Sequence, residues 1–143
     1  MKIDAILAPN SSEKAKFRLF SCPISAGIPS STEDYLDDEF DIDQLINHPN
    51  DTYFMRVRGN SMEDVGIDSG DWLSVDCDME AMNGDVVIAS IDNEYTVKRL
   101  FHRNGEIILL AENDDYEPLR VQKDSDFKVC GVVTNVIHRL RKF

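Results

Sequence analysis

The sequence predicts a mostly β domain preceded by an extended N-terminal arm, and three observations carry that expectation. From Thr52 onward, short runs rich in Val, Ile, Tyr and Phe are divided by Gly, Asn and Asp turns at spacings that suit strands. Two of those turns, Ile91-Asp92-Asn93-Glu94 and Arg103-Asn104-Gly105-Glu106, have the composition of tight hairpins. Residues 1 to about 32 instead mix Ser, Pro, Lys and isolated apolar residues without a sustained period of 2 or 3.6. The division expected is an arm over residues 1–40 and a β-rich domain over residues 41–143, with the boundary falling between Thr32 and Asp41.

Within the arm, Phe17-Arg18-Leu19-Phe20-Ser21 reads as a short strand. It leads into Cys22-Pro23-Ile24-Ser25-Ala26-Gly27-Ile28-Pro29, where the flanking prolines keep the segment out of helix and leave the Ala26–Gly27 peptide bond accessible. Composition alone makes this stretch a linker. An acidic block follows, Glu33, Asp34, Asp37, Asp38, Glu39, Asp41 and Asp43, with no basic residue among them, and it reads as a solvated, self-repelling surface. Asp41 or Asp43 is placed to cap a short helix through Asp43-Gln44-Leu45-Ile46-Asn47, which His48-Pro49 would end. Strands are then expected at 52–58, 71–76, 85–91, 94–101, 106–111 and 127–138. Between the first two, Met62-Glu63-Asp64-Val65-Gly66 is too short for a stable helix and reads as one turn closed by Gly66.

Composition narrows the function classes. A chain of 143 residues with 42% hydrophobic content can hold one domain with a real core. Its formal net charge of −12 argues against duplex DNA, because phosphate binding needs clustered Lys and Arg and none occurs before the short Arg139-Leu140-Arg141-Lys142 tail. Cys22, Cys77 and Cys130 are odd in number, widely spaced and without metal-ligand spacing, which suits free thiols in a reducing compartment. No apolar run approaches the ~20 residues of a membrane span, and the N-terminus lacks the pattern of a signal peptide. A cytoplasmic protein is expected, with no cofactor and no metal.

The chemistry centres on Arg58-Gly59-Asn60-Ser61-Met62, where a serine follows a glycine at the end of an apolar strand, at a point where the backbone turns and its N–H groups are free. Lys98 lies inside a second apolar strand and is the only lysine between Lys16 and Lys123. A serine hydroxyl becomes a useful nucleophile when a base removes its proton, and a lysine serves as that base when burial lowers its pKa. The backbone N–H groups of Asn60 and Ser61 can form an oxyanion hole. Duller readings stand beside these. Ser61 can simply cap its turn, and Lys98 can snorkel from an edge strand. Ser69, Ser74 and Ser90 compete as nucleophiles, although the Asp-Ser-Gly-Asp setting of Ser69 looks structural. A cysteine–histidine pair drawn from Cys22, Cys77 or Cys130 with His102 or His138 has no local support, and the acidic block lacks the periodicity of a calcium loop.

Five stretches in order, Ser25-Ala26-Gly27, Gly59-Asn60-Ser61-Met62, Gly66-Ile67-Asp68-Ser69-Gly70-Asp71, Asn83-Gly84-Asp85-Val86-Val87 and Thr96-Val97-Lys98-Arg99-Leu100, resemble the LexA/UmuD-type self-cleaving serine peptidases. The resemblance runs from about Phe17 to His138. It implies a LexA-like peptidase β-domain, Ser61 as nucleophile, Lys98 as general base, and the Ala26–Gly27 bond as the one cut. The chain between Gly27 and Ser61 can reach far more than a small domain's width at ~3.3 Å per residue, so attack within one chain or across a dimer is open. Within the family the resemblance favours an accessory subunit of SOS-response translesion synthesis. That role implies a homodimer, a RecA filament on single-stranded DNA as co-protease, and a UmuC-like Y-family polymerase as partner. A LexA-like repressor is expected less, since 26 residues before the cut are too few for a winged helix-turn-helix. Two other classes remain, a non-catalytic dimeric interaction module and a signal-peptidase-like enzyme, the latter lacking the membrane segment.

Overall fold

A computed structural model of the chain describes residues 1–9, 16–20, 36–41 and 45–141. The described strands are β1 (Lys2–Leu7), β2 (Lys16–Phe20), β3 (Leu36–Asp41), β4 (Thr52–Arg58), β5 (Trp72–Asp76), β6 (Val86–Ile91), β7 (Glu94–Arg103), β8 (Glu106–Leu110), β9 (Leu119–Arg120) and β10 (Phe127–Ile137). The mostly β expectation holds, and the six strands expected from Thr52 onward are β4 to β8 and β10. The hairpin turns form as their residues require, with Asp92, Asn93, Asn104 and Gly105 at positive φ. The turn expected after Met62 is a single 3-10 turn, Glu63–Val65, closed by Gly66 in the left-handed region at φ 81°.

Three strands were not expected. β1 escapes a periodicity search because its place is set by tertiary pairing: it runs antiparallel to β4, from Lys2 opposite Arg58 to Leu7 opposite Phe54. β3 carries part of the acidic block and pairs with β2 in a separate two-stranded sheet. β9 is a two-residue addition to β8. The helix expected over residues 43–47 falls partly outside the described residues, and Asp41 belongs to β3 rather than to a cap. His48 precedes a 3-10 turn at Pro49–Asp51. Glu33, Asp34, Asp43, Cys22 and the Ala26–Gly27 bond lie outside the described residues.

The main sheet has the order β1-β4-β5-β10-β6-β7-β8-β9. It curls, so that β1 at one edge packs against β7. Curling explains why both faces of β6 are buried. Ile88 packs with Met55, Val57, Leu73, Val75 and Val97, whereas its neighbours Val87 and Ala89 pack with Leu100, Leu109 and Val132 on the opposite side. β10 bridges the curl by pairing with β5 and β6, with bulges on both ladders. Gly131 sits at one bulge, where a Cβ would lie 2.5 Å from Val75 Cγ1, so only glycine allows this approach.

Candidate active site

The curl brings the end of β4 to the middle of β7, and that is where Ser61 and Lys98 meet. β4 ends at Arg58, and Gly59 turns the chain at φ 107°, a conformation open to glycine and rare for other residues. Gly70 N–H donates to the Val57 carbonyl at 2.7 Å, and Gly59 N–H donates to Ser69 Oγ at 3.2 Å, which ties the turn to the loop before β5. Ser61 then falls into the interior at 1% exposure, with Met62 fully buried behind it.

Lys98 reaches the same point from β7, where it pairs with Val87 of β6. Its Nζ lies 3.1 Å from Ser61 Oγ, 3.1 Å from Thr96 Oγ1 and 3.1 Å from the Val97 carbonyl. Burial pushes the Lys98 amine below its ordinary value, with a hydrogen bond to the N-terminal amine opposing the shift. The Met1 amine also donates to Ser61 Oγ, at 3.1 Å. Burial and the neighbouring Lys98 lower that amine to about 5. A half-buried amine with a lowered pKa, in contact with a buried hydroxyl, can remove that hydroxyl's proton when uncharged.

The Asn60–Ser61 backbone is held from a distance that sequence reading did not reach. Asn113 Nδ2 donates to the Asn60 carbonyl at 2.9 Å and to Glu63 Oε1 at 3.2 Å. Tyr116 donates its hydroxyl proton to Asn60 Oδ1 at 2.6 Å, and Asp64 N–H donates to the Glu112 carbonyl at 2.9 Å. With the Asn60 carbonyl and side chain engaged, the Asn60 and Ser61 N–H groups have no hydrogen-bond partner among the described residues. Asn113 and Tyr116 lie beyond β8 in a loop whose only sequence-level signal is its Glu-Asn-Asp-Asp-Tyr composition.

The competing candidates are placed elsewhere. Ser69 Oγ serves the Gly59 turn, and Ser74 is buried against Thr134 Oγ1 at 2.8 Å. Ser90 is buried in β6. Cys77, Cys130 and His102 line one cavity, yet no hydrogen bond joins either thiol to His102 among the described residues, and burial raises both thiol pKa values. His138 and His48 are structural partners of buried carboxylates, each with Nδ1 at 2.6 Å from Asp71 or Asp76 respectively. Asp68, Asp71 and His138 are close enough to share a cation, but the His138–Asp71 hydrogen bond already joins two of them. No helix among the described residues is long and apolar enough to cross a membrane.

Comparison with known proteins gives the chain's family. The Peptidase S24-like family matches residues 19–134. A LexA repressor of Pseudomonas chlororaphis is 39% identical over 117 residues, covering 81% of this chain and 58% of the relative. One from Colwellia psychrerythraea is 37% identical over 116 residues, with 80% and 54% covered. One from Bordetella parapertussis is 39% identical over 114 residues, with 80% and 53% covered. The chain therefore spans little more than half the length of these relatives.

Proposed function

The chain belongs to the Peptidase S24-like family, and on that footing we propose that it is a self-cleaving serine peptidase module whose Ser61 cuts the Ala26–Gly27 bond with Lys98 as base. The observation that carries this reading is the 3.1 Å contact between Lys98 Nζ and Ser61 Oγ in a buried setting. Uncharged Lys98 takes the Ser61 proton as Oγ attacks the Ala26 carbonyl carbon. The negative charge that develops on the carbonyl oxygen meets the Asn60 and Ser61 N–H groups. Protonated Lys98 then delivers its proton to the departing Gly27 nitrogen, which leaves Ala26 as an ester on Ser61. Water, deprotonated by the same lysine, hydrolyses that ester and restores the hydroxyl. Each molecule holds one such bond, so the reaction is a switch rather than a turnover.

The relatives favour a LexA-like regulatory role for the switch, in which a RecA filament on single-stranded DNA stimulates the cut and a homodimer is the working unit. A second reading is a UmuD-like accessory subunit that joins a UmuC-like Y-family polymerase after losing residues 1–26. It is favoured by the net charge of −12, which suits contact with a protein better than contact with duplex DNA. Incubation with RecA, single-stranded DNA and a nucleotide triphosphate tests the shared part. A fragment ending at Ala26 and one beginning at Gly27 are expected, and their absence at every pH and RecA concentration overturns the proposal. Copurification with a Y-family polymerase separates the two roles.

A further inference from the structure

Ser61 is 1% exposed, and besides Lys98 its hydroxyl touches Met1, the residue that leads into the chain's first strand. Met1 places its amino nitrogen 3.1 Å from Ser61 Oγ, and its Cα lies within 3.5 Å of where a Gly59 Cβ would be. Behind it β1 completes the edge of β4 with antiparallel pairing, and Met1 and Ile3 pack on the core cluster of Val57 and Met62. Asp4 sits at an irregularity in that pairing and accepts hydrogen bonds from Arg56 Nε at 2.9 Å and Arg58 Nε at 2.6 Å. The two guanidinium groups hold the Asp4 carboxyl below the usual carboxylate range.

We propose that the β4 edge beside Ser61 and Lys98 is a strand-binding site, that Arg56 and Arg58 select an extended segment bearing a carboxylate, and that β1 is its resident occupant. A scissile carbonyl carbon has to come within ~3.5 Å of Ser61 Oγ, which is where Met1 now lies. Both segments cannot be there together. Self-cleavage at Ser61, the reading on which this inference rests, therefore waits on release of the start of β1. The rate observed is the intrinsic rate scaled by the fraction of molecules in which that site is vacant. β1 is suited to such exchange, being an edge strand whose Lys2, Asp4, Ile6 and Leu7 are exposed and which, beyond its ladder with β4 and the packing of Met1 and Ile3, is held by two surface ion pairs.

One variant tests this in both directions. Lys2 and Arg58 face each other in the β1–β4 register and both are exposed, so Lys2→Cys/Arg58→Cys can be closed as a disulfide over the site. Oxidised, it is expected to cut itself at least ~10-fold more slowly than wild type treated with the same oxidant, and reduced, which also removes one Asp4 partner, faster than wild type. Asp4→Ala, a change at the surface, is expected to speed cleavage by roughly 3- to 10-fold. Acetylation of Lys98 by acetic anhydride, which transfers one acetyl group and releases acetate, followed by peptide mass, reads vacancy without needing catalysis. Labelling is expected to be slowest in the oxidised double variant and fastest in Asp4→Ala. Equal cleavage in oxidised and reduced forms, or equal Lys98 labelling across all chains, overturns the inference. If no chain cuts itself, the peptidase reading fails and the labelling order alone decides whether β1 covers the site.

Discussion

Lys98 Nζ and Ser61 Oγ lie 3.1 Å apart although 37 positions separate them in sequence, because the curl of the sheet brings the middle of β7 to the end of β4. The contact ties the chemistry to the protonation state of one amine. Burial lowers the Lys98 pKa, and only the uncharged amine accepts the Ser61 proton, so self-cleavage is expected to rise with pH. The rise should be sigmoid with a midpoint below that of a free lysine. Rates from intact mass at a series of pH values check this, and a pH-independent rate contradicts it.

Replacing the base is expected to cost more than shifting pH. Lys98→Ala removes general-base assistance, usually worth ~10²–10⁴-fold, and leaves the pairing of β7 with β6 intact. Lys123→Ala, in a loop away from the site, should cut at the wild-type rate. Time courses of fragment appearance for the two variants give the comparison.

Asn113 is expected to act on the rate through Asn60. Its side chain is buried and donates to the Asn60 carbonyl and Glu63 Oε1. Asn113→Ala should lower stability by about 1–2 kcal/mol and also slow cleavage without moving the pH midpoint, because Lys98 is untouched. Denaturant melts and the pH profile separate the effects. A shifted midpoint means that Asn113 acts on the base instead.

How much of this was legible in the sequence follows from what each feature depends on. The β-strands from Thr52 onward rest on local residue preference, and the hairpins on Asp92-Asn93 and Asn104-Gly105, so both are readable. Ser61 and Lys98 were visible because a glycine turn and an isolated strand lysine are local signals. β1 was not, since Lys2–Leu7 becomes a strand only through pairing with β4 and the Asp4 contacts to Arg56 and Arg58. Asn113 and Tyr116 were invisible for the same reason: their partner Asn60 lies more than 50 positions away. His138 and His48 read as a residue before a basic tail and a helix end, whereas folding hands each a buried carboxylate.

Those two histidines set a pH dependence of stability. Hydrogen bonds donated by Nδ1–H to the carboxylates of Asp71 and Asp76 raise the pKa of His138 and His48 respectively. A folded-state pKa above the unfolded value of about 6.5 gives stability that is full below it and lost as pH rises through the folded value. The histidine share of the thermal midpoint is therefore expected to fall from slightly acid to mildly alkaline pH, against a rise from the Met1 amine, whose pKa lowered to about 5 favours the fold as pH climbs above it. His48→Gln/His138→Gln should flatten that fall, and a double variant with the wild-type slope contradicts the assignment.

Gly131 tests the packing at the β10 bulge. A Cβ there meets Val75 Cγ1 at 2.5 Å and the Asp76 carbonyl at 3.1 Å. Gly131→Ala is expected to destabilise the fold by about 1–3 kcal/mol, the usual range for overpacking. Urea denaturation provides the value, and an unchanged midpoint would mean that the bulge yields freely.

The most direct test is the intact mass of wild type and Ser61→Ala after parallel incubation at alkaline pH. Wild type should resolve into a fragment ending at Ala26 and a fragment beginning at Gly27, while Ser61→Ala stays whole. The same two fragments from both chains, at the same rate, would show that Ser61 is not the nucleophile.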